Sequence, residues 1–263
     1  MAQQQLQKIS ETGCIWLAAD MHLGPHAPAT LAAFLSFLES AAQQANALLL
    51  CGDIFEVWVG DDTALQNPEP WLQTTVNALQ TLAQQIPLWI GRGNRDFLMG
   101  QAFAQHLGAK LLDETLLLPT PWGRLLISHG DEYCTDDVAY QRFKRWVRNP
   151  LLQSTFLALP QTWRQKVALL ARQKSQASYA KKGAHITDVN RQAVANTFSQ
   201  HEARALLHGH THRPGLHYYT LDSKPRTRLV LPDWNYDTQP HKGGWAVINR
   251  HGIELHYWCG VKH

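Results

Sequence analysis

The stretch Ala47–Asp53, Ala-Leu-Leu-Leu-Cys-Gly-Asp, constrains this chain more than any other. Its unbroken apolar run predicts a strand buried on both faces, of the kind found inside α/β sheets. Gly52 lets the chain turn sharply, so Asp53 is set at the carboxyl edge of the sheet, where ligands bind in open α/β folds. A second apolar run, Cys14–Ala19, ends the same way, in Asp20-Met-His22. Between the two runs, Leu31, Phe34, Leu35, Leu38, Ala41 and Ala42 recur at helical spacing. Strand, helix and strand make a β-α-β unit with a parallel pair.

The alternation continues downstream. A helix is expected over 69–85. A third strand, from Pro87, ends in Gly93-Asn94-Arg95-Asp96, and a helix follows at 100–107. Strands are expected over 111–118 and 124–129, the second ending in Ser-His129-Gly-Asp. Later, a helix over 188–200 has Asp188 near its start, where a negative charge suits the dipole. A strand at 205–207 then runs into His208-Gly-His210-Thr-His212. Strands at 215–221, 227–231, 244–249 and 253–258 complete the chain.

Residues 138–185 interrupt this pattern. They read as helical and hold ten basic residues, Arg142, Lys144, Arg145, Arg148, Arg164, Lys166, Arg172, Lys174, Lys181 and Lys182, with no Asp or Glu. The chain as a whole carries only +3, so the positive charge is segregated into this segment. It also carries Phe143, Trp146, Leu151, Leu152, Phe156, Trp163, Leu169 and Leu170 among other apolar residues. An inserted cap facing an anionic, partly greasy partner accounts for both features. The competing reading is a helical hairpin packed on the core with a solvated basic face.

The 263 residues, 44% hydrophobic, allow a core over 14–137 and 186–263 plus that insertion. Cys14, Cys51, Cys134 and Cys259 form no C-x-x-C pair, which argues against a zinc ribbon. Reduced thiols and a cytoplasmic setting are expected. The polar first 13 residues do not read as a signal peptide. No apolar run reaches the ~18 residues of a membrane-spanning helix.

Five expected strands therefore end in metal-ligand residue types: Asp20 and His22, Asp53, Asn94, His129, and His210 with His212. Any one of them would more often be a buried, hydrogen-bonded side chain. Five together point to a metal site. Oxygen donors with imidazoles and no thiolate suit Mn²⁺, Fe²⁺ or Zn²⁺. Seven donors exceed one tetrahedral ion and fit two ions sharing a carboxylate, an arrangement that serves phosphoryl displacement.

Asp20-x-His22, Gly52-Asp53, Gly93-Asn94-Arg95-Asp96, His129-Gly130 and Gly209-His210-Thr211-His212 reproduce in order the motifs of the calcineurin-like metallophosphoesterases, which this chain resembles. The resemblance implies an α/β fold, a four-layer sandwich of two mixed β-sheets flanked by helices. It implies two divalent metal ions, with Mn²⁺ expected. One ion would be held by Asp20, His22, Asp53 and His212, the other by Asp53, Asn94, His129 and His210. A hydroxide activated by the metal pair would be the nucleophile.

Arg95 stands where the wider family carries His. A permanent cation cannot donate a proton near neutrality, but it can stabilise a phosphoryl oxygen. With the flanking sequences, this feature resembles the members of the family that hydrolyse the pyrophosphate of UDP-2,3-diacylglucosamine in lipid A biosynthesis. Their products are UMP and 2,3-diacylglucosamine 1-phosphate. That likeness implies catalytic roles for Asn94 and Arg95. It implies substrate contacts at Asn94, Arg95, Asp137, Ser175, Tyr179, Lys182 and His210, although Tyr179 departs from the Asn of many family members. It also implies an acylated UDP-sugar lipid as substrate, no nucleic-acid partner, and peripheral attachment to the cytoplasmic face of the bacterial inner membrane.

Two rival readings are a phosphoesterase for a soluble nucleotide and a non-catalytic nucleic-acid binder. His208 is expected to point away from the site. Asp61, Asp62 and Asp131 are expected to be loop or supporting groups, and Asp96 to orient Arg95 or a histidine. His26, His106 and His217 read as surface residues, and Pro232-Asp-Trp234 as a turn.

Overall fold

The computed structural model describes residues 2–179 and 186–258; of residues 2, 174 and 176–179 only the backbone is described. The chain begins with α1 (Ala2–Thr12), β1 (Ile15–Ala18), α2 (Pro28–Gln44) and β2 (Ala47–Cys51). Next come α3 (Asp62–Leu65), α4 (Pro70–Gln85), β3 (Leu88–Gly91), α5 (Gln101–Leu107) and β4 (Lys110–Leu111). These are followed by β5 (Thr115–Thr120), β6 (Gly123–Ser128) and a 3₁₀ turn over Asp131–Tyr133. Three helices come in succession: α6 (Val138–Val147), α7 (Pro150–Leu157) and α8 (Gln161–Tyr179). The chain then runs through α9 (Arg191–His201), β7 (Ala205–His208), β8 (Gly215–Leu221), β9 (Lys224–Val230), β10 (Gly244–Asn249) and β11 (Gly252–Tyr257).

Side chains alternate across a strand, so a strand buried on both faces feeds two cores. On one face, Trp16, Ala18, Leu48, Leu50, Leu88 and Ile90 pack against Phe34, Phe37 and Leu38 of α2 and Leu72, Val76 and Leu79 of α4. On the other, Ile15, Leu17, Leu49 and Trp89 meet Leu118, Leu125, Ile127, Leu207 and Leu229 of a second sheet. The outer face of that sheet, through Leu126 and Leu206, is covered by Val194 and Phe198 of α9. The result is helix, sheet, sheet, helix: the four layers expected.

The first sheet has the order β11-β10-β1-β2-β3-β4 and the second β5-β6-β7-β9-β8. Both are mixed. β1 to β4 run parallel, as do β6, β7 and β9, while β10, β11, β5 and β8 pair antiparallel. The parallel strands carry their carboxyl ends to one rim.

The structure departs from the sequence reading in three places. The single strand expected over 111–118 is two, β4 and β5, in different sheets. Asp113 and Glu114 lie between them, and β4 pairs with β3 while β5 pairs with β6. The helix expected from Asp188 begins at Arg191, because Asn190 caps it by accepting from the amides of Gln192 and Ala193. Asp188 instead pairs with Arg213. The polar start of the chain forms α1, whose Leu6 is fully buried in the core between the sheets.

Candidate metal centre

The seven expected donors follow β1, β2, β3, β6 and β7, and backbone bonds lash their loops together. Asp20 N donates to Gly52 O (3.1 Å), His22 N to Asp53 O (3.0 Å) and Gly209 N to His129 O (2.9 Å). Asp20, His22, Asp53, His210 and His212 all take left-handed backbone, with φ between 48° and 64°. Asp and His adopt that region more readily than most residues, but it remains sparsely populated, and such strain collects at functional sites. Two glycines make room beside the carboxylates. A Cβ on Gly93 would lie 2.1 Å from Asp53 Oδ1, and one on Gly209 would lie 2.1 Å from Asp20 Oδ2. Both positions therefore exclude any side chain.

The donors form two neighbouring groups. In one, His22 Nε2 is 3.3 Å from His212 Nε2 and 3.9 Å from Asp53 Oδ2, and His212 Nε2 is 3.7 Å from Asp20 Oδ1. In the other, Asn94 Oδ1 is 3.1 Å from His129 Nε2 and 2.8 Å from His210 Nδ1, and His129 Nε2 is 3.6 Å from Asp53 Oδ2. Asp53 Oδ2 thus faces both groups. Its other oxygen accepts the Arg95 amide at 2.8 Å. Asp20 Oδ2 accepts the His210 amide at 2.8 Å, whereas Oδ1 is buried with no hydrogen-bond partner.

These features fit divalent ions. A buried carboxylate oxygen without a partner is costly and calls for a cation. Metal–ligand bonds of ~2.0–2.2 Å impose donor separations of roughly 3–4 Å, the range found here. The electrostatics agree. Burial alone would discharge His22, yet the Glu56 contact and the Asp53 and Asp20 carboxylates raise its pKa to about 9. Burial also works against a charged His129, and the same carboxylates overcome it and push its pKa up. Burial and the neighbouring His129 cation lower His210 to about 3. Burial would raise Asp20, but His212, His129 and His22 hold it well below the usual carboxylate range. A site that draws protons onto imidazoles this strongly offers the same field to metal ions.

Supporting groups surround the donors. Asp96 accepts from the amides of Gly93 (2.7 Å), Ile54 (2.8 Å) and Asp53 (3.2 Å). It therefore orients the backbone that carries Asp53, not Arg95 or a histidine as the sequence suggested. Burial and the Asp53 charge raise its pKa to about 6. Asp61 accepts from the Gly100 and Phe103 amides and is a structural group. His208 is fully buried away from the donors, 2.8 Å from Gly209 O and 3.2 Å from Arg228. His26 and His106 are exposed and His217 is half-buried.

Two contributors escaped sequence reasoning. Asp233, read there as part of a turn, is buried with Oδ2 3.7 Å from His212 Nδ1. Glu56 places Oε2 3.2 Å from His22 Nδ1. A carboxylate behind a metal-binding imidazole is a recurrent arrangement. A search for Asp or Glu within a few residues of each donor motif could have flagged Glu56, but the Asp233–His212 pair depends on the meeting of distant loops.

The helices α6 to α8 reach the same rim. Asp131, 1% exposed, receives the Tyr140 hydroxyl (2.5 Å) and the Lys144 ammonium (2.9 Å) from α6. The Tyr140 ring stacks on His210 at 6.2 Å. Arg148 donates to Gly93 O at 3.3 Å and pairs with Glu114. From α8, buried Arg164 pairs with Asp62, and Arg172 lies 2.9 Å from Glu56 Oε1. Four of the basic residues thus neutralise core carboxylates and are not free for a ligand. The apolar side chains do the opposite. No residue of α6 or α7 is buried, and ten of the fifteen exposed large hydrophobic side chains among the described residues lie between Val138 and Leu170. Among the described residues, α6 and α7 therefore bury no apolar face on the core.

The remaining expected contacts are mixed. Arg95 is partly exposed at the rim, its Nη1 3.9 Å from Glu56. Asp137 caps α6, accepting from the Tyr140 amide at 3.0 Å. Ser175 is exposed on α8. The Tyr179 side chain and Lys182 lie outside the described residues. Cys14, Cys51 and Cys134 are free thiols. Among the described residues no helix is long and apolar enough to cross a membrane.

Comparison with known proteins matches this arrangement. The calcineurin-like phosphoesterase model matches residues 15–214. A Bordetella pertussis protein named UDP-2,3-diacylglucosamine hydrolase is 49% identical over 95% of this chain and 96% of its own. Proteins of that name from Proteus mirabilis and Serratia proteamaculans are 45% and 44% identical, over 92% and 90% of this chain and 98% and 95% of theirs. By these matches, and with the donor motifs gathered on one rim, the chain belongs to the calcineurin-like phosphoesterase family.

Proposed function

We propose that this chain hydrolyses the pyrophosphate of UDP-2,3-diacylglucosamine, releasing UMP and 2,3-diacylglucosamine 1-phosphate. The observation that carries this reading is the meeting of two surfaces: a buried donor cluster suited to phosphate chemistry and a helical segment that leaves its apolar side chains exposed. The names of the near relatives support the same substrate.

Asp20, His22, Asp53 and His212 would hold one divalent ion; Asp53, Asn94, His129 and His210 would hold the other, with Mn²⁺ the ion we assign. Bound there, the ions would supply Lewis-acid charge and activate water at neutral pH. The chain does the positioning. Asp53 faces both donor groups through Oδ2, while the Arg95 amide pins its other oxygen. The Arg95 guanidinium would stabilise a non-bridging phosphoryl oxygen. Residues 138–185 act as an inserted cap. Its ion pairs fix it to the rim, and its apolar side chains receive acyl chains and meet the inner membrane peripherally from the cytoplasmic side. Asp137, Ser175, Tyr179 and Lys182 would add polar substrate contacts.

The test is incubation of the purified protein with the diacyl sugar nucleotide and Mn²⁺ in ¹⁸O-water. Label in UMP is expected. Equal turnover of UDP-glucosamine lacking both acyl chains would refute the role given to the cap, and no turnover of either would refute the reaction.

A further inference from the structure

We propose that Glu56 is a positioning residue that joins the cap to the metal centre, one carboxylate oxygen holding His22 and the other holding Arg172 of α8. The inference deepens the reading above and rests on His22 as an ion ligand.

Glu56 follows Asp53 by three residues and is 8% exposed. A carboxylate so buried must be paired. Its backbone is fixed by the bond from its amide to Leu23 O (3.0 Å), so its side chain is fed between the loops after β1 and β2. Oε2 lies 3.2 Å from His22 Nδ1 and Oε1 lies 2.9 Å from Arg172 Nε, ion-pair contacts without hydrogen-bond alignment, with Arg95 Nη1 3.9 Å from Oε1. Each oxygen therefore serves a different part of the molecule.

Toward the core, the carboxylate lies beside Nδ1 of the imidazole, and Nε2 on the other side of the ring faces Asp53 Oδ2 and His212 Nε2. Such a partner fixes ring orientation and raises ligand basicity. Toward the cap, Glu56 is, among the described residues, one of two core carboxylates that pair with α8; the other is Asp62, through Arg164. Those two arginines stand eight residues apart, about two helical turns. Val167, Leu169 and Leu170 lie between them and are exposed, so apolar burial does not hold that stretch in place. The position of α8 over the site is thus set by ion pairs, and the inner one shares its anion with a metal ligand and with the phosphate-facing Arg95.

The experiment measures Mn²⁺ affinity by competition with a chelating dye, and amide hydrogen exchange along α8, in the full-length protein. Glu56→Gln should weaken one of the two ions by ~10–100-fold and speed exchange over residues 161–172 about tenfold. Arg172→Gln should speed α8 to a similar extent while leaving both ion affinities as in the wild type. The double variant should show no faster α8 exchange than the faster single variant, because the two residues form one contact. Wild-type exchange in α8 of Glu56→Gln, or unchanged ion affinity, overturns the proposal. So does acceleration shared equally by β1, β2 and β3, which would mean general loosening. His22→Ala separates the two levels of argument: if that variant keeps both ions, the ligand assignment fails whatever Arg172 does.

Discussion

The floor and the roof of this site are built by opposite rules. The floor is polar yet buried: Asp20, Asp53 and Asp96 are at most 2% exposed, set among strand ends whose other residues form the core. The roof is apolar yet exposed: Trp146, Leu151 and Trp163 are 63–78% exposed. Each half violates ordinary burial preferences in its own direction. The floor tolerates its violation because two packed sheets hold the strained loops in place. The roof tolerates its own because ion pairs from Lys144, Arg148, Arg164 and Arg172 attach it to core acids. Buried, tightly held carboxylates and an exposed apolar surface are thus kept in separate parts of one chain.

The sharpest way to break the contrast is to strike the carboxylate between the two donor groups. Asp53→Ala should lower kcat/KM by at least about 10³-fold, more than loss of a single oxyanion donor. Its circular dichroism should remain that of a folded protein. Retained activity would mean that the floor is not the reaction centre.

A roof contact should give a smaller and different loss. Lys144→Ala removes one partner of Asp131 and should raise KM on the order of tenfold with a lesser change in kcat. A drop in kcat at unchanged KM would mean that α6 takes part in the chemistry and not in seating the substrate.

The floor's charge should also be visible in the chelated protein. His22 titrates near pH 9 against an ordinary value of 6.5, so the folded state binds its proton more tightly. That stabilisation is complete below pH 6.5 and is lost as pH rises through 9, amounting to at most ~3 kcal/mol. The Tm of chelated protein should therefore fall across that window, and fall less in His22→Asn. With Mn²⁺ bound, the slope should flatten.

The smallest effect on stability belongs to the outermost roof residue. Leu151→Glu, at 78% exposure, should change unfolding free energy by less than about 0.5 kcal/mol. Binding to phospholipid vesicles in sedimentation should nevertheless drop. A large fall in Tm would show that Leu151 packs against something within the chain.

Much of the floor was legible in the residues themselves. Apolar runs ending in Asp20, Asp53, Asn94, His129 and His210 announced strands with donors at one edge, because strand burial and turn chemistry are local properties. The helices α6 to α8 were legible too, as a helical segment rich in basic and apolar residues and without Asp or Glu. What stayed hidden were partners supplied across the fold. Asp233 reaches His212, Asp96 collects amides from the Asp53 loop, and Glu56 meets Arg172 from more than a hundred residues away.

The sequence by itself therefore determined the strands, the order of the donors and the segregation of charge, since each depends on neighbours a few residues apart. Only the tertiary structure decided which carboxylate supports which imidazole, and that four of the cap's cations, Lys144, Arg148, Arg164 and Arg172, turn to acids of the core while its large apolar side chains stay exposed. Those outcomes depend on where two sheets bring distant loops together, and no periodicity along the chain encodes that distance.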